Sequence, residues 1–276
     1  MNLNAEKTTG GFQFLEGPVW VSGAGVSPAS GYLLFSDIPA NRIYRFKNGS
    51  VDVWREPSHQ ANGNTLDPQG RLVTCEHETR RVTRTEADGT VVPIATHFEG
   101  KRLNSPNDVV CKSDCSIYFT DPPYGVSPEV RELDFQGVFV VGRARSPSAL
   151  QLLVKDFVKP NGLAFSPDEK TLYVADTELG HIRAFDVQPD GSITNSREFC
   201  KVERPDGMRV DRVGNLYVAA MNGVEIFDPT GKKVGEINLP ERPANLAFGD
   251  GDRKTLYICA RTSLYRVRMP NAGAGL

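Results

Sequence analysis

The sequence predicts an all-β fold, a six-bladed β-propeller of four-stranded antiparallel blades, in a single domain over residues 1–276. Three observations predict it. One short phrase recurs six times along the chain. A β-rich run follows every copy. No stretch carries the 3.6-residue apolar periodicity of an amphipathic helix.

The phrase starts with an oxygen-bearing residue in all copies but one, and a few small and apolar residues follow. Its copies are Glu16-Gly-Pro-Val-Trp20, Asn62-Gly-Asn-Thr-Leu66, Asn107-Asp-Val-Val-Cys111, Asn161-Gly-Leu-Ala-Phe165, Asp206-Gly-Met-Arg-Val210 and Ala244-Asn-Leu-Ala-Phe248. Their starts lie 46, 45, 54, 45 and 38 residues apart. Each copy reads as the first strand of a unit. The second strands are Tyr32–Asp37, Arg71–Glu76, Ser116–Asp121, Thr171–Asp176, Asn215–Ala220 and Thr255–Ala260, rich in β-branched and aromatic residues and bounded by turn formers. Third strands follow at Arg42–Phe46, Arg81–Thr85, Val138–Val141, Ile182–Phe185, Val224–Phe227 and Leu264–Val267. Fourth strands show at Val51–Trp54, Val91–Ala95, Leu150–Val154 and Val234–Ile237. Four-strand units of about 40–50 residues are the signature of propeller blades. The last unit is one strand short, so an N-terminal strand near Phe12–Leu15 is expected to complete it and close the ring, removing the open edges. The tail Pro270–Leu276 is expected to be loose. A sandwich with a second all-β domain is the alternative, and it must treat six aligned phrases as coincidence.

Composition excludes several classes. The chain has 276 residues, 39% hydrophobic, with 32 Lys+Arg against 34 Asp+Glu. That balance lacks the basic surplus of a nucleic-acid binder. No apolar run is long enough for a transmembrane helix. The 26 glycines and 19 prolines fall at regular intervals, as turns between short strands require. Met1–Gly10 has no apolar signal-peptide core. The five cysteines (Cys75, Cys111, Cys115, Cys200, Cys259) are odd in number and lack a CxxC pair. Both features point to a reducing, cytoplasmic setting. Cys75 and Cys259 fill the repeat slot held by Ser36, Thr120, Ala175 and Ala219, so they read as packing thiols. Cys111 and Cys115 flank a turn and could approach each other.

The first residues of the phrases are Glu16, Asn62, Asn107, Asn161, Asp206 and Ala244. Singly, each reads as a turn former. In a propeller, however, the first strands line the central channel, and equivalent residues form a ring. Glu16 and Asp206 with the carbonyls of Asn107 and Asn161 make an all-oxygen set of charge −2, and converging carboxylates repel unless a cation compensates them. This set suits a hard divalent cation, Ca²⁺ first and Mg²⁺ or Mn²⁺ next, with Zn²⁺ a further occupant to test. Ala244 cannot ligate, and Asn62 stands behind the ligands. The loops leading into first strands and those joining second to third strands open on one face, where function should collect. They hold His59, His97, Lys101, Arg102, Asn104 and Ser105, and His77, Tyr124, Glu178 and Asn222. Asn62, His77, Arg102, Asn107 and Tyr124 are the candidate substrate contacts. His181 reads as structural, and Arg80, Arg81 and Arg84 as a solvated strand face without the aromatic interleaving of a nucleic-acid surface.

Four segments together resemble the gluconolactonase/regucalcin (senescence marker protein) family of six-bladed propellers. They are Leu15-Glu-Gly-Pro-Val-Trp20, Asn104-Ser-Pro-Asn-Asp108, Lys159-Pro-Asn-Gly-Leu-Ala-Phe-Ser-Pro-Asp168 and Arg204-Pro-Asp-Gly-Met208. Phe35-Ser-Asp-Ile-Pro-Ala-Asn41 and Asp121-Pro-Pro-Tyr-Gly125 are similar to its bacterial gluconolactonase-like branch. The resemblance implies one divalent metal at the top of the channel and hydrolysis of sugar lactones. The family's ligands carry over to Glu16, Asn161 and Asp206, and Asn107 matches a position that ligates metal or contacts substrate. Regucalcin-like members have a basic residue where this chain has Ser105, and Arg102 is the candidate stand-in. Diisopropylfluorophosphatase shares the metal geometry, so the fold does not fix the reaction. The expected activity is metal-dependent lactone hydrolysis with Asp206 as general base and no covalent intermediate, consistent with the lack of a Gly-x-Ser-x-Gly elbow. The alternatives are another metal-dependent hydrolase, acting on phosphotriesters or non-sugar esters, and a non-catalytic calcium-binding propeller. The expected partner is a small-molecule lactone, without nucleic acid or membrane.

Overall fold

A computed structural model describes residues 2–22, 31–142 and 150–275. It is a six-bladed propeller. Blade one contains β3 (Leu15–Val21), β4 (Tyr32–Asp37), β5 (Arg42–Lys47) and β6 (Ser50–Arg55). Blade two contains β7 (Ala61–Leu66), β8 (Leu72–Glu76), β9 (Arg81–Thr85) and β10 (Val91–Ala95). A two-stranded hairpin, β11 (His97–Phe98) and β12 (Lys101–Arg102), precedes blade three, which is β13 (Val109–Cys111), β14 (Ile117–Asp121), β15 (Gly137–Val141) and β16 (Gln151–Val154). Blade four is β17 (Pro160–Phe165), β18 (Thr171–Asp176), β19 (His181–Val187) and β20 (Ile193–Lys201), and blade five is β21 (Met208–Val210), β22 (Leu216–Ala220), β23 (Gly223–Phe227) and β24 (Lys233–Asn238). Blade six has β25 (Asn245–Gly249), β26 (Thr255–Ala260) and β27 (Ser263–Arg268) from the C-terminal end of the chain. Among the described residues the only helical element is a 3-10 turn at Pro128–Val130.

The strand pattern follows from what a blade must bury. Its two faces pack on two different neighbours, so both faces of the second strands are apolar. In β18, Leu172 and Val174 enter the core shared with blade three, while Tyr173 and Ala175 enter the core shared with blade five. The alternation of strand side chains thus serves two interfaces and leaves neither face for water. Six such clusters fill the six gaps between blades. Cys75 and Cys259 lie fully buried in two of them, as expected of packing thiols, and all five cysteines are free.

Three expectations need correction. The closing strand is not Phe12–Leu15 but β2 (Glu6–Gly10), antiparallel to β27. Phe12 instead packs its ring edge-on against Phe35, at 5.4 Å, in the core between blades six and one, and Leu15 already belongs to β3. A further strand, β1 (Asn2–Asn4), joins blade five parallel to β24, so the N-terminus binds two blades. The C-terminal tail is not loose. Gly273 and Ala274 donate backbone hydrogen bonds to Arg253 O and Val210 O, and Asn271 Nδ2 reaches Asp211 Oδ2 at 3.0 Å. With Gly275, Ala274 lines a chamber of about 160 Å³ at the end of the channel opposite the ring residues; Leu276 lies outside the described residues. Finally, Arg80 is not on a solvated face. It is buried, and its guanidinium donates to the carbonyls of Leu103, Asn104 and Val130 at 2.7, 3.0 and 3.1 Å, tying the loop before blade three to the insertion after β14. Arg81 and Arg84 pair with Glu76 and Glu86.

Candidate metal centre and substrate cavity

The six phrase-initial residues converge on one cavity of about 380 Å³. Local backbone irregularity puts them there. In β3, β7 and β17 the register with the second strand shifts at Glu16/Val19, Ala61/Asn64 and Pro160/Leu163; this lifts Asn62 and Asn161 out of the regular ladder, while Glu16 is the last paired residue before the irregularity. Asn107 and Asp206 lie two residues before β13 and β21, held by backbone bonds to Thr120 O and Ala219 O. The residue after each ring position has a second task. A Cβ added to Gly17 would lie 2.0 Å from Asn62 O, and one on Gly162 would lie 2.2 Å from Asp206 O. Glycine here lets the backbone of the next blade come close, which a turn argument alone does not explain. The slot of Ser36 and Thr120 reinforces the same seam: Ser36 Oγ donates to Asn62 O and Thr120 Oγ1 to Asn161 O, each at 2.8 Å.

Side-chain amides chain the ring together. Asn62 Nδ2 donates to His77 Nε2 at 3.1 Å and to Asn107 Oδ1 at 2.8 Å. Asn107 Nδ2 donates to Asn161 Oδ1 at 2.7 Å, and Asn161 Nδ2 to Thr177 Oγ1 at 3.0 Å and Tyr124 OH at 3.3 Å. Both hydrogens of Asn62 Nδ2 are thereby used, and its buried Oδ1 has no partner. Burial pushes the His77 pKa down to about 4, so the ring is neutral and Nε2 accepts.

The carboxylates show the strain expected of converging charge. Burial raises the Glu16 carboxyl well above the carboxylate range, and repulsion from Asp206 and Asp108 adds to it. Donation from Gly17 N at 2.8 Å and Asn245 Nδ2 at 3.0 Å opposes the rise. Burial pushes Asp206 to about 7, with Arg242 pulling it down and Asp108 pushing it up. Two desolvated carboxylates and the amide oxygens of Asn107 and Asn161 form a donor set that fits a hard divalent cation, with the orphaned Asn62 Oδ1 beside them as a free acceptor.

The cavity is lined as the connectivity predicts, by loops leading into first strands and loops joining second to third strands. Glu16, Asn62, His77, Asn107, Tyr124, Asn161, Asp206 and Ala244 all line it. Arg102 does not: its Nη2 donates to Thr79 O at 3.1 Å, which engages it away from the cavity. His59, His97, Lys101, Glu178 and Asn222 are also absent from the lining. Ser105 is fully buried. It donates to Pro122 O and accepts from Gly125 N, so it supports the Pro-Pro-Tyr-Gly turn that carries Tyr124. His181 pairs with Glu198 outside the cavity.

Sequence reasoning missed Phe14, Ile38, Thr177 and three arginines, Arg204, Arg242 and Arg261, all in the lining. It also missed Asp108 and Asn245, which sit where four of the six phrases have glycine. Asn245 Nδ2 bridges Glu16 Oε2 and Asp108 Oδ2, at 3.0 and 3.4 Å. Departure from glycine at those two positions was the available signal.

Residues 14–262 match the family described as SMP-30/Gluconolactonase/LRE-like region. A gluconolactonase of Zymomonas mobilis is 33% identical over 294 aligned positions, covering 95% of this chain and 80% of that protein. Regucalcin of Sus scrofa is 30% identical, covering 90% and 84%. The solved structure of a gluconolactonase from Xanthomonas campestris superposes with a TM-score of 0.85 at 36% identity, over 96% of this chain and 89% of that one.

Proposed function

Because the chain belongs to the SMP-30/gluconolactonase/LRE-like family, we propose that it is a divalent-metal-dependent lactonase that opens a sugar lactone to the hydroxy acid. The observation that supports this most is the convergence of Glu16, Asn107, Asn161 and Asp206 on one cavity, with both carboxyls raised by burial. These four would hold the cation, Ca²⁺ ahead of Mg²⁺, Mn²⁺ and Zn²⁺. When bound, the ion supplies a Lewis acid that polarises the lactone carbonyl and offsets the two carboxylates.

The chain's own residues do the rest. Asn62 Oδ1, left without a partner, accepts from a substrate hydroxyl, while neutral His77 fixes the amide that carries it. Tyr124, 41% exposed, forms a wall over the ring of amides. Asp206 takes a proton from the attacking water as the new C–O bond forms. The ring C–O bond then breaks, its electron pair leaves on the ring oxygen, and that oxygen receives the proton.

The test is a panel of gluconolactone, an aromatic lactone and a phosphotriester, read by proton release, after chelation and after return of each metal. Turnover of gluconolactone that needs the metal is expected. Asp206→Asn keeps an oxygen ligand but removes the base, so it should retain metal in titration calorimetry and lose about 10³-fold in kcat. Glu16→Ala should lose metal binding and turnover together. Metal-independent turnover, or wild-type rates in either variant, overturns the proposal.

A further inference from the structure

We propose that this site is built for lactones that carry an anionic group, a carboxylate or a phosphate, away from the lactone carbonyl, and that Arg204, Arg242 and Arg261 select for it. The proposal rests on the lactonase reading above and specifies its substrate class.

Charge favours such a substrate. The cavity lining holds two carboxylates, Glu16 and Asp206, against three guanidinium groups, with His77 neutral. That leaves one positive charge over, and a divalent cation on the carboxylates makes it three. A neutral sugar leaves this excess to solvent and counter-ions, whereas an anionic group reduces it directly.

Placement agrees. The three arginines come from one side of the ring: Arg204 from the loop between β20 and β21, Arg242 from the loop before β25, and Arg261 from the turn between β26 and β27. The opposite side carries His77 and Tyr124. A substrate with its carbonyl at the ring residues would therefore meet a cationic wall on one flank only. Arg242 is already engaged: its Nη2 donates to Arg204 O at 3.3 Å and lies 3.9 Å from Asp206 Oδ2. The guanidinium groups of Arg204 and Arg261 make no hydrogen bond or ion pair among the described residues, and both residues are exposed. Arg204 attracts Asp206 only at a distance, so both guanidinium forks keep their donors, and arginine matches carboxylate and phosphate oxygens in a bidentate fork.

The experiment compares two matched pairs on the metal-loaded protein: a phosphorylated gluconolactone against plain gluconolactone, and glucarolactone against gulonolactone. kcat/KM should favour the anionic member of at least one pair by about tenfold or more, the effect of one charge-assisted hydrogen bond. The pair that shows the preference identifies the group as phosphate or carboxylate. In Arg204→Gln/Arg261→Gln the ratio of anionic to neutral kcat/KM should fall about tenfold, and in Arg261→Lys, which keeps the charge, it should fall less. Turnover of the neutral lactones with no preference in either pair overturns this inference and leaves the lactonase reading standing. A ratio unmoved by the double substitution overturns the role of the arginines. Turnover of no lactone at all overturns both.

Discussion

Glu16 and Asp206 bind protons more tightly in the folded chain than in the unfolded one, where a carboxyl titrates near 4. Their folded values are raised, Asp206 to about 7. Between about pH 4 and 7 the folded state therefore holds more protons than the unfolded state, and stability falls as pH rises through that window. The metal-free protein should melt several degrees lower at pH 8 than at pH 5 in differential scanning calorimetry, and added Ca²⁺ should restore the loss at pH 8. A melting temperature that rises with pH over this range would contradict the shifts. Metal affinity should run the other way, strengthening as pH rises through about 7, where Asp206 loses its proton, with the release measured by calorimetry in buffers of different ionisation enthalpy. At the next position along, Gly162→Ala would place a methyl 2.2 Å from Asp206 O. It should cost about 2–4 kcal/mol in denaturant unfolding. The ring was legible in the sequence because six residues share one repeat position and five carry oxygen. Arg204 and Arg242 were legible in principle, since each stands two residues before its ring position with a proline between, as Lys159 does; Arg261 was not, because its turn lies outside the phrase. Arg102 was a plausible cation by number, yet Thr79 O holds it on the outside of the wall.

At the scale of elements, strand type and order could be read because each apolar second strand recurs at a fixed place after the phrase, with no helical segment between strands to cover a parallel sheet. Placement of the closing strand could not. Glu6-Lys-Thr-Thr-Gly10 is polar and pairs at an outer edge, where burial leaves no apolar imprint, while Phe12–Leu15 is apolar because it reaches the core. β20 was hidden for the same reason, with most of its residues exposed. Deleting residues 2–10 removes β1 and β2 and frees the edge of β27. The truncated chain should melt about 10 °C lower and self-associate in sedimentation, because an unpaired edge strand recruits another. A monomer of unchanged melting temperature would show that the closure contributes little.

Across the whole molecule, the channel has a different occupant at each end. Ring residues line one chamber, and the C-terminal tail lines the other through Ala274 and Gly275, with no lining residue in common. Truncation after Pro270 should lower the melting temperature but leave lactone kcat/KM within about threefold, since sites with no shared partners respond independently. Ring closure also sets a timetable. Glu6 pairs with Arg266, 260 residues later in the chain. On the ribosome, β2 has no partner until the β26–β27 hairpin emerges, whereas the partner of β1, β24, is made earlier. β2 therefore stays open to chaperones or other chains until blade six is made, and that hairpin decides when its exposure ends.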